Sequence, residues 1–271
     1  MSVLPPTITA VEVNLRQYNT EAIRRELLQV GFSEVITSSF SNKDIIELQN
    51  ALASDKRFVR GNLTQNISKA LDQNFVHCDL LDIPHVRVFE IGTIFDKTDT
   101  SVSEHIAIAL GVRTKGNGYN SKDDAILETA RETVEQLLGT TLEWKNEKGV
   151  AEANLSAVWS NLTKPSHYEA YAPSIPAQFK AISTYPAVSR DIALWVSDGV
   201  VSSEVEALIA QTAGELCVRI SLFDSFSKDG RTSYGFRLVF QSFERTLTDV
   251  EVNTFMEPVY GAVAGKGWEV R

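Results

Sequence analysis

From Lys180 to Arg245 the chain holds five arginines, Arg190, Arg219, Arg231, Arg237 and Arg245, and only two lysines, Lys180 and Lys228. A guanidinium is planar, stacks on rings and pairs bidentately with carboxylates or phosphates, so this set suits directed contacts with flat or anionic groups. Two acidic neighbours temper that reading. Arg190 adjoins Asp191, and Arg245-Thr-Leu-Thr-Asp249 has the look of a helix-capping sequence. Exposed pairs of this kind contribute about 0–1 kcal/mol and are commonly structural. Other chemistries find no residues to carry them. The histidines, His77, His85, His105 and His167, lack metal-ligand spacing, Cys78 and Cys217 stand far apart, and no phosphate-cradling Gly-rich loop is present. Gly116-Asn-Gly118 lies in a polar stretch and reads as a turn.

The arginines need a scaffold, and the last ninety or so residues supply one. Asp191 to Val196 alternates, with Ile192, Leu194 and Val196 on one side and Asp191, Ala193 and Trp195 on the other. Ser202 and Ser203 can cap a helix from Glu204 to Gly214, and a strand from Val218 to Phe223 follows. Lys228-Asp229-Gly230 turns the chain into a strand from Thr232 to Gln241. Thr246 or Thr248 caps the last helix, Gly265 or Gly267 ends it, and Trp268 to Arg271 forms a final strand. The order strand, helix, strand, strand, helix, strand makes an antiparallel sheet with both helices on one face, leaving the other open. Tyr234, Phe236, Leu238 and Phe240 then face the helices, while Gly235, Arg237, Val239 and Gln241 join Asp191 and Ala193 on the open side. By the same alternation Asp224 and Phe226 reach that side only if the strand ends or bulges near Phe223. Otherwise the two phenylalanines are core and Asp224 caps a turn.

At this point the residues resemble a known family, the ferredoxin-like anticodon-binding domain at the C-terminus of the bacterial phenylalanyl-tRNA synthetase beta subunit. The resemblance is carried by Pro186 with Arg190-Asp191, Leu222-Phe-Asp224, Tyr234-Gly-Phe-Arg-Leu-Val-Phe240 and Arg245-Thr-Leu-Thr-Asp249. It implies that the first anticodon base lies between a small residue of the first strand and an aromatic beyond the second, beside an aspartate that accepts from the base. These roles fall on Ala193, Phe226 and Asp224, with Arg237, Arg190 and Asp191 completing the expected anticodon-binding set. Phe226 stands where the family has tyrosine, which keeps a stacking ring and removes a hydroxyl.

The first 170 or so residues read as another domain. Asn19 or Thr20 caps a helix carrying Ile23, Leu27 and Leu28 and stopped by Gly31, and Phe32 to Phe40 alternates as a strand. Ser41 or Asn42 starts a short helix, and another runs from Asn62 to Gln73. Val86–Phe95 and His105–Val112 form a hairpin, followed by a helix from Asp123 to Leu138. Here the chain resembles the part of the same beta subunit that copies a class II synthetase core without doing chemistry. The carriers are Gly31-Phe-Ser-Glu-Val-Ile-Thr-Ser-Ser-Phe40, Val59-Arg-Gly-Asn-Leu63, Ala70-Leu-Asp-Gln-Asn74 and Val88-Phe-Glu-Ile-Gly-Thr-Ile-Phe95. A working class II site needs an arginine on the long hairpin for the ATP α-phosphate, and Val88-Phe89-Glu90 stands there instead.

The expectation is therefore an α+β protein. An inactive class II synthetase-like antiparallel sheet domain over 1–175 precedes a ferredoxin-like βαββαβ anticodon-binding domain over 180–271, connected through the proline-containing stretch Tyr171 to Pro176, with the boundary near residues 173 to 183. The resemblance implies no catalytic residues and no cofactor in this chain, with ATP and Mg2+ bound by a catalytic alpha subunit, the expected partner in an α2β2 assembly, and tRNA(Phe) the expected RNA. Counterparts of the family's editing and tRNA-elbow domains are not found, and editing is not expected. A stand-alone paralogue acting as a scaffold or ligand-binding module is the alternative. Composition constrains both readings. The net charge is −9, and residues from Lys180 onward hold nine basic against twelve acidic groups, a net of −3, so RNA binding would be local and weak for this chain alone. No apolar run approaches the roughly 20 residues that span a bilayer, no signal peptide is evident, and two cysteines far apart in sequence fit a reducing cytoplasm. Neither membrane nor DNA is expected as a partner.

Overall fold

The computed structural model describes residues 12–51, 53–99, 101–115, 119–168, 179 and 181–271. The stretch expected to join the domains, Tyr171 to Pro176, and the Gly116-Asn-Gly118 turn lie outside the described residues. The chain divides into two compact units, Met1–Cys78 with Pro84–Pro173, and Asp79–Ile83 with Ser174–Arg271.

In chain order the elements before residue 160 are α1 (Leu15–Gln29), β1 (Ser33–Glu34), β2 (Phe40–Ser41), β3 (Ile46–Glu47), β4 (Phe58–Val59), α2 (Thr64–Phe75), α3 (Cys78–Leu81), β5 (His85–Lys97), β6 (Val102–Thr114), α4 (Ser121–Leu138), β7 (Lys145–Glu147) and β8 (Val150–Asn154). The main sheet of the first unit has the order β1-β5-β6-β8-β7, and a small one has the order β2-β4-β3. All pairings in the main sheet are antiparallel except β1 with β5. Residues 106 to 112 of β6 are buried without a break because both faces are covered. Ile106, Ile108 and Leu110 pack with Ile23 and Leu27 of α1 and Leu127 and Val134 of α4. Ile67 and Leu71 of α2 lie against Gly111, which points the other way.

Three local expectations fail for identifiable reasons. The strand expected from Phe32 to Phe40 is interrupted, because Thr37 turns inward and gives both its N–H and its hydroxyl to Glu90. No helix follows Ser41, where Asp44 instead accepts from the N–H groups of Ile45 and Gly61 and holds a bend. Helix α1 begins at Leu15, because the side chain of Asn14 takes the Gln17 N–H at 3.1 Å and starts it earlier than Asn19 or Thr20 would.

The second unit contains β9 (Val188–Ser197), α5 (Ser202–Thr212), β10 (Cys217–Lys228), β11 (Arg231–Phe240), α6 (Asp249–Gly265) and β12 (Glu269–Val270). Its sheet order is β10-β11-β9-β12, all antiparallel, the ferredoxin-like arrangement expected of the βαββαβ order. Ile192, Leu194, Phe236, Leu238 and Phe240 form the core with Val205 and Ile209 of α5 and Val252, Met256 and Val259 of α6. Val201, which makes no side-chain cap bond, occupies the position before α5 expected for a serine. Thr248 rather than Thr246 caps α6, in a reciprocal box with Glu251. Among the described residues, no helix is long and apolar enough to cross a membrane.

Candidate nucleic-acid interface

Strand pairing arranges the open face of the second unit in rows. Ser221 opposes Arg237, which opposes Asp191. In the next row Asp224 opposes Gly235, which opposes Ala193. A third row runs from Phe226 through Ser233 and Trp195 to Glu269. Strict alternation would have turned Asp224 and Phe226 toward the helices. A register shift between Leu222 and Asp224 adds the residue that reverses them, so the bulge puts both on the open face. Phe223 shares that face. A Cβ on Gly235 would stand 2.9 Å from the Phe223 ring and 3.1 Å from the Asp224 Cβ, so only glycine leaves room for the ring here. Phe223 and Phe226 are 54% and 37% exposed, which excludes the core reading for both.

The acidic member of this arrangement is unspent. Asp224 is exposed and, among the described residues, has no hydrogen-bond or ion-pair partner. Arg237 is the opposite case. Its Nε and Nη2 donate to the two Asp191 oxygens at 2.7 and 2.6 Å, and its Nη1 donates to Asp79 at 3.0 Å. These hydrogen bonds, Asp191 foremost, push the guanidinium still higher than its usual range, against the opposing effect of burial. Its plane also lies 5.5 Å from the centre of the Phe223 ring. Arg237 and Asp191 are on the open face as expected, but bound to each other, which makes them a rigid edge of the site more than a free cation.

Arg190 does not belong to this face. It pairs with Leu238 across the strands and so points toward the helices, where its Nη2 donates to Asp249 at 2.6 Å and its Nε to Asn253 at 2.9 Å. The adjacent Arg190 and Asp191 thus lie on opposite sides of one strand, as the period of two demands. Arg245 has the structural role expected for it, paired with Glu251 at 2.7 Å. Val239 and Gln241 are buried although they have the open-face parity. The Gln241 amide donates to the Tyr185 carbonyl at 2.8 Å and Ser183 donates to the Ser242 carbonyl, so the segment before β9 covers that end of the sheet.

Trp195 was not among the expected site residues, though its alternation with Asp191 and Ala193 was visible. It is half-buried on the open face, with its ring edge-on to Phe226 at 5.1 Å. Arg231 lies over Trp195 and Arg271 over Phe226, each 5.4 Å from the ring centre. The face is therefore a small-residue floor flanked by aromatic rings, guanidinium planes and one free carboxylate. Flat rings offer stacking to any base, and the carboxylate accepts a hydrogen bond from a base edge.

The first unit contains a polar cleft of about 790 Å3 lined by residues that include Asn62, Asp96, Lys145 and Glu152. Its buried carboxylate, Glu152, is taken up by the N–H groups of Leu63 and Thr64 and by the Thr64 hydroxyl, and holds the start of α2. Among the described residues no group of histidine, cysteine and carboxylate side chains is placed to hold a metal ion.

Comparison with known proteins adds two family matches. Residues 183–271 match the ferredoxin-fold anticodon binding domain, and residues 2–147 match the phenylalanyl tRNA synthetase beta chain CLM domain. The chain is 26% identical over 303 aligned residues to the phenylalanine–tRNA ligase beta subunit of Acinetobacter baylyi, covering 92% of this chain and 38% of that protein. It is 41% identical over 93 residues to the Trichormus variabilis beta subunit, covering 33% of this chain and 11% of that one. The chloroplastic/mitochondrial phenylalanine–tRNA ligase of Arabidopsis thaliana is 38% identical over 91 residues, 33% of this chain and 21% of the plant protein. The chain spans well under half the length of these relatives.

Proposed function

Because the chain belongs to the phenylalanyl-tRNA synthetase beta chain family, we propose that it does the work of the matching part of a beta subunit in phenylalanine–tRNA ligase. It supports a catalytic alpha subunit in an α2β2 assembly, and its last domain receives the anticodon of tRNA(Phe). The observation that carries this reading is Asp224, an exposed carboxylate without a partner, on a row with Gly235 and Ala193 and next to Phe226. An acceptor left free on an otherwise paired surface is poised for a donor from outside, such as the edge of an unstacked base.

Chemistry is assigned to the partner. Where a class II hairpin would present an arginine to ATP, Phe89 is fully buried and Glu90 is held by Arg60, which supports a structural role for that strand. ATP and Mg2+ therefore act on the alpha subunit, while this chain contributes position and recognition. The cytoplasm is the proposed setting.

Co-expression with a catalytic alpha subunit, followed by aminoacylation of tRNA(Phe), tests the reading. Asp224→Ala removes one charged hydrogen bond and no reacting group, so the KM for tRNA rises about tenfold while kcat is little changed. An unchanged KM would sink the assignment of Asp224. A chain that never co-purifies with an alpha subunit and leaves charging unaffected would instead be a stand-alone paralogue.

A further inference from the structure

The third row of the open face has no role in the reading above, apart from Phe226. Ser233 lies in this row between Phe226 and Trp195, 1% exposed, and its hydroxyl has no hydrogen-bond partner among the described residues. A buried hydroxyl without a partner costs free energy that a ligand could return. On the outer side of the row, Arg231 lies over the indole of Trp195 and is steadied from its other side by Glu269, to which its Nη2 donates at 2.7 Å.

Tryptophan on a solvent-facing sheet surface calls for a reason. The core of this unit lies on the other face and does not include Trp195. An indole with a guanidinium over its ring forms a flat, cationic pair, and both the ring and the guanidinium plane can stack on the π-face of any nucleobase. We propose that Trp195 and Arg231 form a second stacking position, for the nucleotide next to the one held by Ala193 and Phe226. This inference rests on the anticodon reading and deepens it. The ligand is a single-stranded RNA loop whose bases are splayed apart. Rows two residues apart on a strand are separated by about 6.8 Å, twice the 3.4 Å rise of stacked bases, so two neighbouring bases on these rows cannot be stacked on each other. The Phe226 ring fits between them, and Ser233, reached when the Phe226 and Trp195 rings part, offers its hydroxyl to a base edge. Arg231 and Arg271 supply the positive charge that a protein partner with an apolar surface would not require.

The test uses the full chain and a labelled anticodon stem-loop RNA of tRNA(Phe), titrated to high protein concentration. Trp195→Leu is expected to bind about five- to tenfold more weakly than the unaltered chain, and Trp195→Phe to recover most of the loss, because stacking needs a ring and packing does not. The emission of Trp195, taken as the difference between the unaltered chain and Trp195→Phe, should fall when RNA is added. That readout does not depend on the leucine variant folding, which thermal melting checks separately. If Trp195→Leu binds as tightly as the unaltered chain and the indole emission is unmoved, while Asp224→Ala still weakens binding, the second position is wrong and the anticodon reading stands. If the unaltered chain binds no RNA at any concentration reached, both fall. Unmoved emission with RNA together with quenching by a protein partner would reassign the row to protein docking.

Discussion

At the scale of single residues, the chain spends its charges in two ways. Arg60 and Glu90 are 6% and 3% exposed at the side chain and form an ion pair at 2.8 Å. Several hydrogen bonds surround the pair. The Arg60 Nε donates to the Thr93 carbonyl at 2.8 Å, its Nη1 to the Thr37 hydroxyl at 3.0 Å, and Glu90 accepts both the N–H and the hydroxyl of Thr37. Gly92 makes room for this pair, since a Cβ there would stand 2.3 Å from Arg60 Nη2. Replacing one partner leaves a charge in the interior, which costs about 3–5 kcal/mol, whereas replacing both with apolar groups can cost little. Arg60→Met should therefore lower the urea midpoint strongly, and the double variant Arg60→Met, Glu90→Leu should recover part of the loss. Equal midpoints for the single variant and the parent would refute the burial argument. Asp224 is the contrast, a carboxylate with no internal duty, so its loss should be felt in RNA binding and hardly at all in stability.

Elements decide which of these residues could be foreseen. The long hairpin of the first unit, and the strand and helix order, hairpin and core face of the second unit, were legible, because alternation and turn residues are local signals, and Phe236, Leu238 and Phe240 behave as alternation requires. The side of the sheet taken by Asp224 and Phe226 was not, because it depends on one extra residue between Leu222 and Asp224, which no pattern in Leu222-Phe-Asp-Ser-Phe226 announces. Nor were the break in the strand at Thr37 and the burial of Val239 and Gln241, which depend on partners distant in sequence, Glu90 and Tyr185. Arg190 was within reach, since strict alternation from Ile192 already turns it to the helix side. Helix α6 shows a local signal that translates directly into energetics. Its cap, Thr248, accepts the Glu251 N–H, and Glu251 in return accepts the Thr248 N–H and hydroxyl. These bonds, the Thr248 N–H first, hold the Glu251 carboxyl below its usual pKa. A lowered carboxyl adds stability above its unfolded pKa and loses it as pH falls through the folded value. Thr248→Ala, which removes the hydroxyl from both bonds, should be less stable than the parent near neutrality, and the gap between variant and parent should narrow below the usual carboxylate range. Thermal melts across that range check it, and a gap that widens in acid would contradict the capping account.

For the molecule as a whole, the balance of charge sets how RNA can be held. The chain has 26 lysines and arginines against 35 acidic residues, so a diffuse attraction for phosphates is not available. On the open face, Arg237 is engaged by Asp191 and Asp79, and Arg231 is shared between Trp195 and Glu269. Binding by stacking and base-edge hydrogen bonds displaces few counterions, and for single strands log K falls with log salt at about 0.7 per phosphate neutralised. With Arg231 and Arg271 as the cations nearest the rings, a slope of roughly −1 to −2 is expected for an anticodon stem-loop titrated between low and moderate salt. A slope several times steeper would mean that phosphates, not bases, dominate, and that the basic surface responsible lies elsewhere on the chain. The same reasoning predicts a division of labour. An acidic domain with a shallow salt dependence has little long-range attraction for tRNA, so its affinity for the anticodon should rise when other subunits tether the same tRNA, through effective concentration and with no new contact on this face. Comparing stem-loop with whole tRNA(Phe), each on the isolated chain and on the chain bound to an alpha subunit, separates the two contributions. The assembly should gain much for whole tRNA and almost nothing for the stem-loop, and a gain for the stem-loop alone would show that the partner reshapes the face itself.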